Sequence, residues 1–233
     1  MLTKNFKQLQ EEVAYHVKAD RVAPGSYWTC FIGCLAHGEN NPDYIENRYG
    51  IPLMVTRIAE SIFEGLPADE AIGFFAALPS AVGFDGKDLS RVGWKFLASE
   101  LRSLPPVDPE IQAVIDSVIA GMDLLADGGH WPEKDALTAA GDISKAANWD
   151  AMASRYLALD WHIVKAANWT WRAAKAANWA AKTANWAARS FMDKLAACAA
   201  KAAESAAVDT AARRRQRDLL LKLIKEAPVN SLI

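Results

Sequence analysis

Apolar residues recur at helical spacing from the start of the chain. Phe6, Leu9, Val13 and Val17 in "TKNFKQLQEEVAYHVKA" share one helix face. "RVAPGS" breaks that helix and offers Ser26 as the cap of the next one, which is expected to run through "YWTCFIGCLAH". A polar loop, "GENNPD", follows. "GIPLMVTRIAESIFEGLP" then opens with proline at an early helical position and closes on Gly65, the asymmetry expected of a helix. Pro67 with Asp69 and Glu70 starts another helix, and "PSAVGFDGKD" reads as a loop. "LSRVGWKFLASEL" is amphipathic, "SLPPVDP" is the clearest linker, "EIQAVIDSVIAGMDLLAD" is helical again, and "GGHWPEKD" marks a further boundary. No strand alternation stands out.

The pattern changes after Gly141. From Asp142 to Ala227 the chain runs 86 residues without glycine or proline. One helix of that length would span about 130 Å at 1.5 Å per residue, so the segment is expected to fold back at capping residues such as Asp160, Ser190 or Asp209. The fold class is therefore all-α: an N-terminal bundle of short helices, followed by long alanine-rich helices packed as an antiparallel bundle. The division falls between an acidic short-helix part, residues 1–128, and an alanine- and tryptophan-rich part, residues 129–233. One continuous domain is the alternative.

Within the second part, "KAANWTWRAAKAANWAAKTANWAARS" separates into two faces on a helical wheel. Trp171, Arg172, Trp179, Lys182, Trp186 and Arg189 lie within about 60° of Lys175. Asn168 joins them, and Asn178 and Asn185 border the stripe. Ala173, Ala177, Ala180, Ala184 and Ala188 form the opposite seam, suited to close helix packing. A stripe of indoles and cations suits nucleic acid, since cations neutralise phosphates and rings stack on unpaired bases. It also suits a protein partner, because Trp and Arg dominate interface energies. The plainer reading packs it on the chain's own acidic half.

Charge sharpens those alternatives. Residues 1–164 hold 13 Lys and Arg against 23 Asp and Glu, a net of −10, whereas residues 165–225 hold 13 against 4, a net of +9. The halves can neutralise one another, or either can present its field to a partner; in the extreme case the acidic half mimics nucleic acid. No run approaches the roughly 18 apolar residues of a membrane span, and the N-terminus lacks an apolar signal region, so a cytoplasmic protein with no membrane association is expected.

Candidate chemistry is sparse. If "YWTCFIGCLAHG" is helical throughout, Cys30, Cys34 and His37 fall at i, i+4 and i+7, within about 40° on one face. They could then hold three positions of a metal site or support thiol chemistry, with His16 or Cys198 as a fourth ligand. Core packing is the alternative, cysteine being among the most buried residue types. Three cysteines in 233 residues do not make a disulfide framework. There is no phosphate loop, no Gly-x-Ser-x-Gly elbow and no His-Glu-x-x-His, and His130 and His162 have no nucleophile at a readable spacing. No catalytic residue and no cofactor is expected.

The run "CFIGCLAHG…YGIPLMVTRIAESIFEGLP…DLS" resembles a group of bacterial and phage proteins with a Gly-Cys-containing helix, a "GIP" helix start and an "IFEGLP" helix end. The alanine-rich remainder, ending "AARRRQRDLLLKLIKEA", is similar to helical predicted immunity proteins, although the Asn-Trp insertions depart from their simple alanine tracts. The resemblance implies a non-enzymatic interaction protein of a bacterial conflict system or mobile element. Such a protein would act as an immunity protein or inhibitor by binding a toxin or a host defence complex, protein alone or protein with nucleic acid. Homo-oligomerisation stays open.

Overall fold

The computed structural model describes residues 1–26, 28–38, 41–104, 109–132 and 210–230, together with Asp135 and Thr138. These residues form eight helices and no strand, so the protein is all-α: α1 (Phe6–Lys18), α2 (Phe31–Leu35), α3 (Pro42–Tyr49), α4 (Leu53–Gly65), α5 (Ala68–Val82), α6 (Val92–Arg102), α7 (Pro109–Ala126) and α8 (Thr210–Lys225). The Trp171 to Arg189 stripe, Cys198, His162 and the expected long alanine-rich helices lie outside the described residues. So does most of the stretch on which a division at residue 128 would have to be judged.

The chain separates into two compact units, Met1–Gly93 with Asp209–Ile233, and Trp94–Val208. In the first, α1 turns Leu9 and Val13 inward at i, i+4 spacing. α4 buries Leu53, Val55, Ile58, Ile62 and Phe63, and α5 buries Phe74, Phe75 and Leu78. Phe31, from the short α2, fills the space between them. Its ring lies 6.2 Å from Phe63, 6.0 Å from Phe74 and 5.7 Å from Phe75, edge-on to the first and last and stacked on the second. In the second unit an ion pair joins Arg102 of α6 to Asp123 of α7, and Met122 and Trp131 are buried.

Four local expectations change. The helix through residues 27–37 shrinks to Phe31–Leu35, and its cap is Cys30 rather than Ser26: the Cys30 backbone is extended and its sulfur accepts from Gly33 N at 3.2 Å. Instead, the Ser26 carbonyl accepts from the amides of Thr29 and Cys30, closing a turn. An unexpected helix, α3, starts where Asn41 accepts from Asp43 N with Pro42 in the first turn, and ends at Gly50 in the left-handed region. Gly50 is also required by packing, because a Cβ there would fall 2.0 Å from the Leu2 carbonyl oxygen. Finally, α5 continues through Pro79 to Val82. Burial of Leu78, Ala81 and Val82 outweighs the lost amide donor, which sits in the last turn where disruption is small.

α8 accounts for part of the charge asymmetry. Its buried stripe, Ala212, Gln216, Leu220 and Ile224, packs it on α4 and α5. Its basic side meets an acid of α5: Arg214 Nε donates to both Glu70 carboxylate oxygens at 3.0 and 2.9 Å, and Arg217 Nη1 donates to the same group at 3.1 Å. In this helix, basic residues of the C-terminal part do dock on the acidic N-terminal part.

Candidate recognition cleft

A cleft of about 720 Å³ lies beside α1 in the first unit. One wall is a flank of α1. Gln8, Glu11, Glu12, Tyr15 and His16 follow i, i+3, i+4, i+7, i+8 spacing, next to the buried Leu9 and Val13 stripe. The other wall is made by turns that bring Arg21, Trp28, Thr29, His37 and Gly38 to face it.

Two non-glycine residues in the left-handed region shape these turns. Asp20 (φ 53°) reverses the chain after α1, so that Arg21 folds back on Tyr15. The guanidinium carbon sits 5.8 Å from the ring centroid, and Nη1 donates to the phenolic oxygen at 3.3 Å. His37 (φ 54°) ends α2 and swings its imidazole toward Glu12. Gly38 (φ 81°) follows, and a Cβ at that position would fall 2.4 Å from Trp28 Cε3 and 2.5 Å from Cζ3; that edge of the indole therefore abuts the Gly38 backbone. Trp28 is 66% exposed and Tyr15 53%, the former the most exposed large apolar side chain among the described residues.

Glu12 sits between two imidazoles. Oε2 is 3.8 Å from His16 Nε2 and Oε1 is 3.7 Å from His37 Nε2, both too long for hydrogen bonds. Burial, the largest influence on His16, pulls its pKa below the ordinary 6.5, with Glu12 opposing; its Nδ1 is buried without a hydrogen bond.

Cys30, Cys34 and His37 do not share a face, because α2 is only five residues long and His37 lies beyond its end. Cys30 caps the helix and lies 4.0 Å from Glu60 Oε1. The Cys34 thiol donates to the carbonyls of Arg21 and Thr29 at 3.2 and 3.4 Å, which fastens the turn carrying Arg21 and Trp28. Neither Cys30 nor Cys34 is in a disulfide, and both are buried. Burial raises both pKa values, that of Cys34 to about 12, which keeps them protonated and poor as nucleophiles or ligands. Among the described residues no three His, Cys, Asp or Glu side chains are arranged to hold a metal ion. His16, expected beside the cysteines, stands instead with His37 across Glu12, and His130, in the second unit, is exposed.

Sequence reasoning passed over Glu12, Tyr15, Arg21 and Trp28. The signal it could have used is the i, i+4 pair Glu12 and His16 beside a tryptophan set in a Pro-Gly turn, "APGSYW". Comparison with protein-family models, curated proteins and solved structures found no match. No described helix is long and apolar enough to cross a membrane.

Proposed function

We propose that this chain is a non-enzymatic interaction protein that captures a protein partner, acting as an immunity protein or inhibitor in a bacterial conflict system or mobile element. One observation carries the binding role: exposed Trp28 and Tyr15, with Arg21, line a single cleft. Trp, Tyr and Arg are the side chains enriched in interface hot spots, where a large flat surface is desolvated at low entropic cost. The thiol-dependent alternative would need ionised cysteines, and burial of Cys30 and Cys34 opposes that. The biological setting rests on the sequence resemblance.

The test is affinity capture from the native host with and without nuclease, followed by mass spectrometry and cross-linking, using the full chain, a Trp28→Ala variant and a Lys182→Glu/Arg189→Glu variant. A protein captured in both nuclease conditions and lost with Trp28→Ala supports the reading. Capture that disappears with nuclease, or that only the Lys182→Glu/Arg189→Glu change abolishes, overturns it in favour of nucleic acid or of the tryptophan stripe.

A further inference from the structure

We infer that Glu12, His16 and His37 form a proton-operated latch between the two walls of the cleft: one proton from solvent charges His37, whose imidazolium closes on the Glu12 carboxylate and pins the turn after α2 to α1. The inference goes beyond the interaction reading and holds whatever the cleft receives.

The argument begins with where the three groups come from. Glu12 and His16 stand one helical turn apart on α1, whereas His37 reaches them from a left-handed residue beyond the end of α2. Two imidazoles therefore bracket one carboxylate, Nε2 of His16 3.8 Å from Oε2 and Nε2 of His37 3.7 Å from Oε1. Each gap exceeds a charge-assisted hydrogen bond by about 1 Å. An imidazolium carries a hydrogen on Nε2 whichever tautomer precedes it, so charging leaves no lone pair aimed at the carboxylate and lets the gap close.

Burial decides which imidazole takes the proton. The His16 side chain is 13% exposed and that of His37 51%. Desolvation opposes charge on His16, and so do a charged His37 and Arg21 in the turn after α1. Glu12 can compensate one cation and not two, so the cluster takes a single proton in the weakly acidic range. The remaining neighbours do not replace Glu12. Tyr15 of α1 and Tyr44 of α3 meet His16 and His37 through ring edges, and Cys34 of α2 meets His16 through its backbone. Tyr49 of α3, beside Arg48, stays neutral because burial, and then Glu12, push its pKa up to about 12. With neutral imidazoles the cleft lining carries Glu11 and Glu12 against Arg21, a net of one negative charge; the proton that fastens the turn also brings that net to zero.

The test follows the histidine ring protons of the full chain by NMR from about pH 8.5 to about pH 4.5, a range that spans the ordinary imidazole value. His16→Gln and His37→Asn assign the two resonances, asparagine being tolerated in the left-handed backbone at position 37. On acidification the His37 resonance should move first, and His37→Asn should raise the His16 midpoint by about 0.3 pH unit or more. The fastening itself is read at the Gly38 amide, which donates to the Gly33 carbonyl at 2.7 Å. Its exchange with solvent, corrected for the intrinsic rate, should slow by about threefold or more as His37 charges, and should not slow in Glu12→Gln or His37→Asn. His16 titrating first, an unmoved His16 midpoint in His37→Asn, or a Gly38 amide equally protected at both ends of the titration overturns the latch. Slowing that survives His37→Asn overturns it too, and that variant remains decisive if Glu12→Gln fails to fold.

Discussion

Replacing Lys87 with methionine should destabilise the protein by about 2–4 kcal/mol, although the apolar stem is kept. Lys87 is 4% exposed, and its ammonium donates to the carbonyls of Ala81 at 3.0 Å, Ile224 at 3.1 Å and Lys225 at 2.7 Å. Those carbonyls lie in the last turns of α5 and α8, where helical partners run out and a cation is favoured by both helix dipoles. Three charge-assisted bonds at about 1.5–3 kcal/mol each would suggest a larger loss. Against this stands the desolvation of the ammonium, several kcal/mol, which methionine does not incur. Burial, chiefly, with repulsion from Lys225, lowers the Lys87 pKa, so that desolvation is only partly compensated. What is left over is the unsatisfied state of the Ala81 and Lys225 carbonyls, since the Ile224 carbonyl also accepts from Ala227 N at 3.3 Å. Lys87 also anchors both chain ends: its amide donates to Thr3 Oγ1 at 2.9 Å, and Asp88 N donates to the Pro228 carbonyl at 2.8 Å. Urea unfolding followed by far-ultraviolet circular dichroism measures the change, and native-state hydrogen exchange should show the Asp88 and Asn230 amides opening faster. A loss below about 0.5 kcal/mol, the range of ordinary surface substitutions, would refute the capping role.

Hydrogen bonds from Arg214, then the charges of Arg214 and Arg217, lower the Glu70 pKa, so its stabilising contribution is present above the ordinary carboxylate value of 4.5 and lost as pH falls through the lower folded value. The stability difference between the natural protein and Glu70→Gln should accordingly shrink between about pH 6 and pH 3; a constant difference contradicts the clamp. Native alkylation with iodoacetamide, mapped by mass spectrometry, should leave Cys30 and Cys34 unmodified until denaturant is added, and rapid labelling of Cys34 would show that the turn it fastens opens readily. Gly38→Ala should cost about 1–2 kcal/mol through its left-handed backbone and displace the Trp28 ring, read as a change in the His37 resonance; an unchanged spectrum and stability would mean that the indole does not need that glycine.

Local sequence determined the helices that carry their own signals. The α1 period, the proline and glycine that bracket α4, and the acidic first turn of α5 were all legible, because apolar spacing and cap chemistry act within a few residues. Even α3 was written in "NPDYIENRYG", as an asparagine cap, a first-turn proline and a closing glycine, although a hydrophobic pattern alone passes over it. Tertiary structure decided the rest. Cys30, Cys34 and His37 look like one helix face only if α2 extends to residue 37; the turn at His37 and Gly38 ends it and sends the imidazole to Glu12, a partner 25 positions away in sequence. Pro79 reads as a break, but burial of its neighbours in the core carries α5 past it. The pairing of Arg214 and Arg217 with Glu70 spans more than 140 residues, a distance over which composition fixes the sign of the charges and only packing chooses the partner.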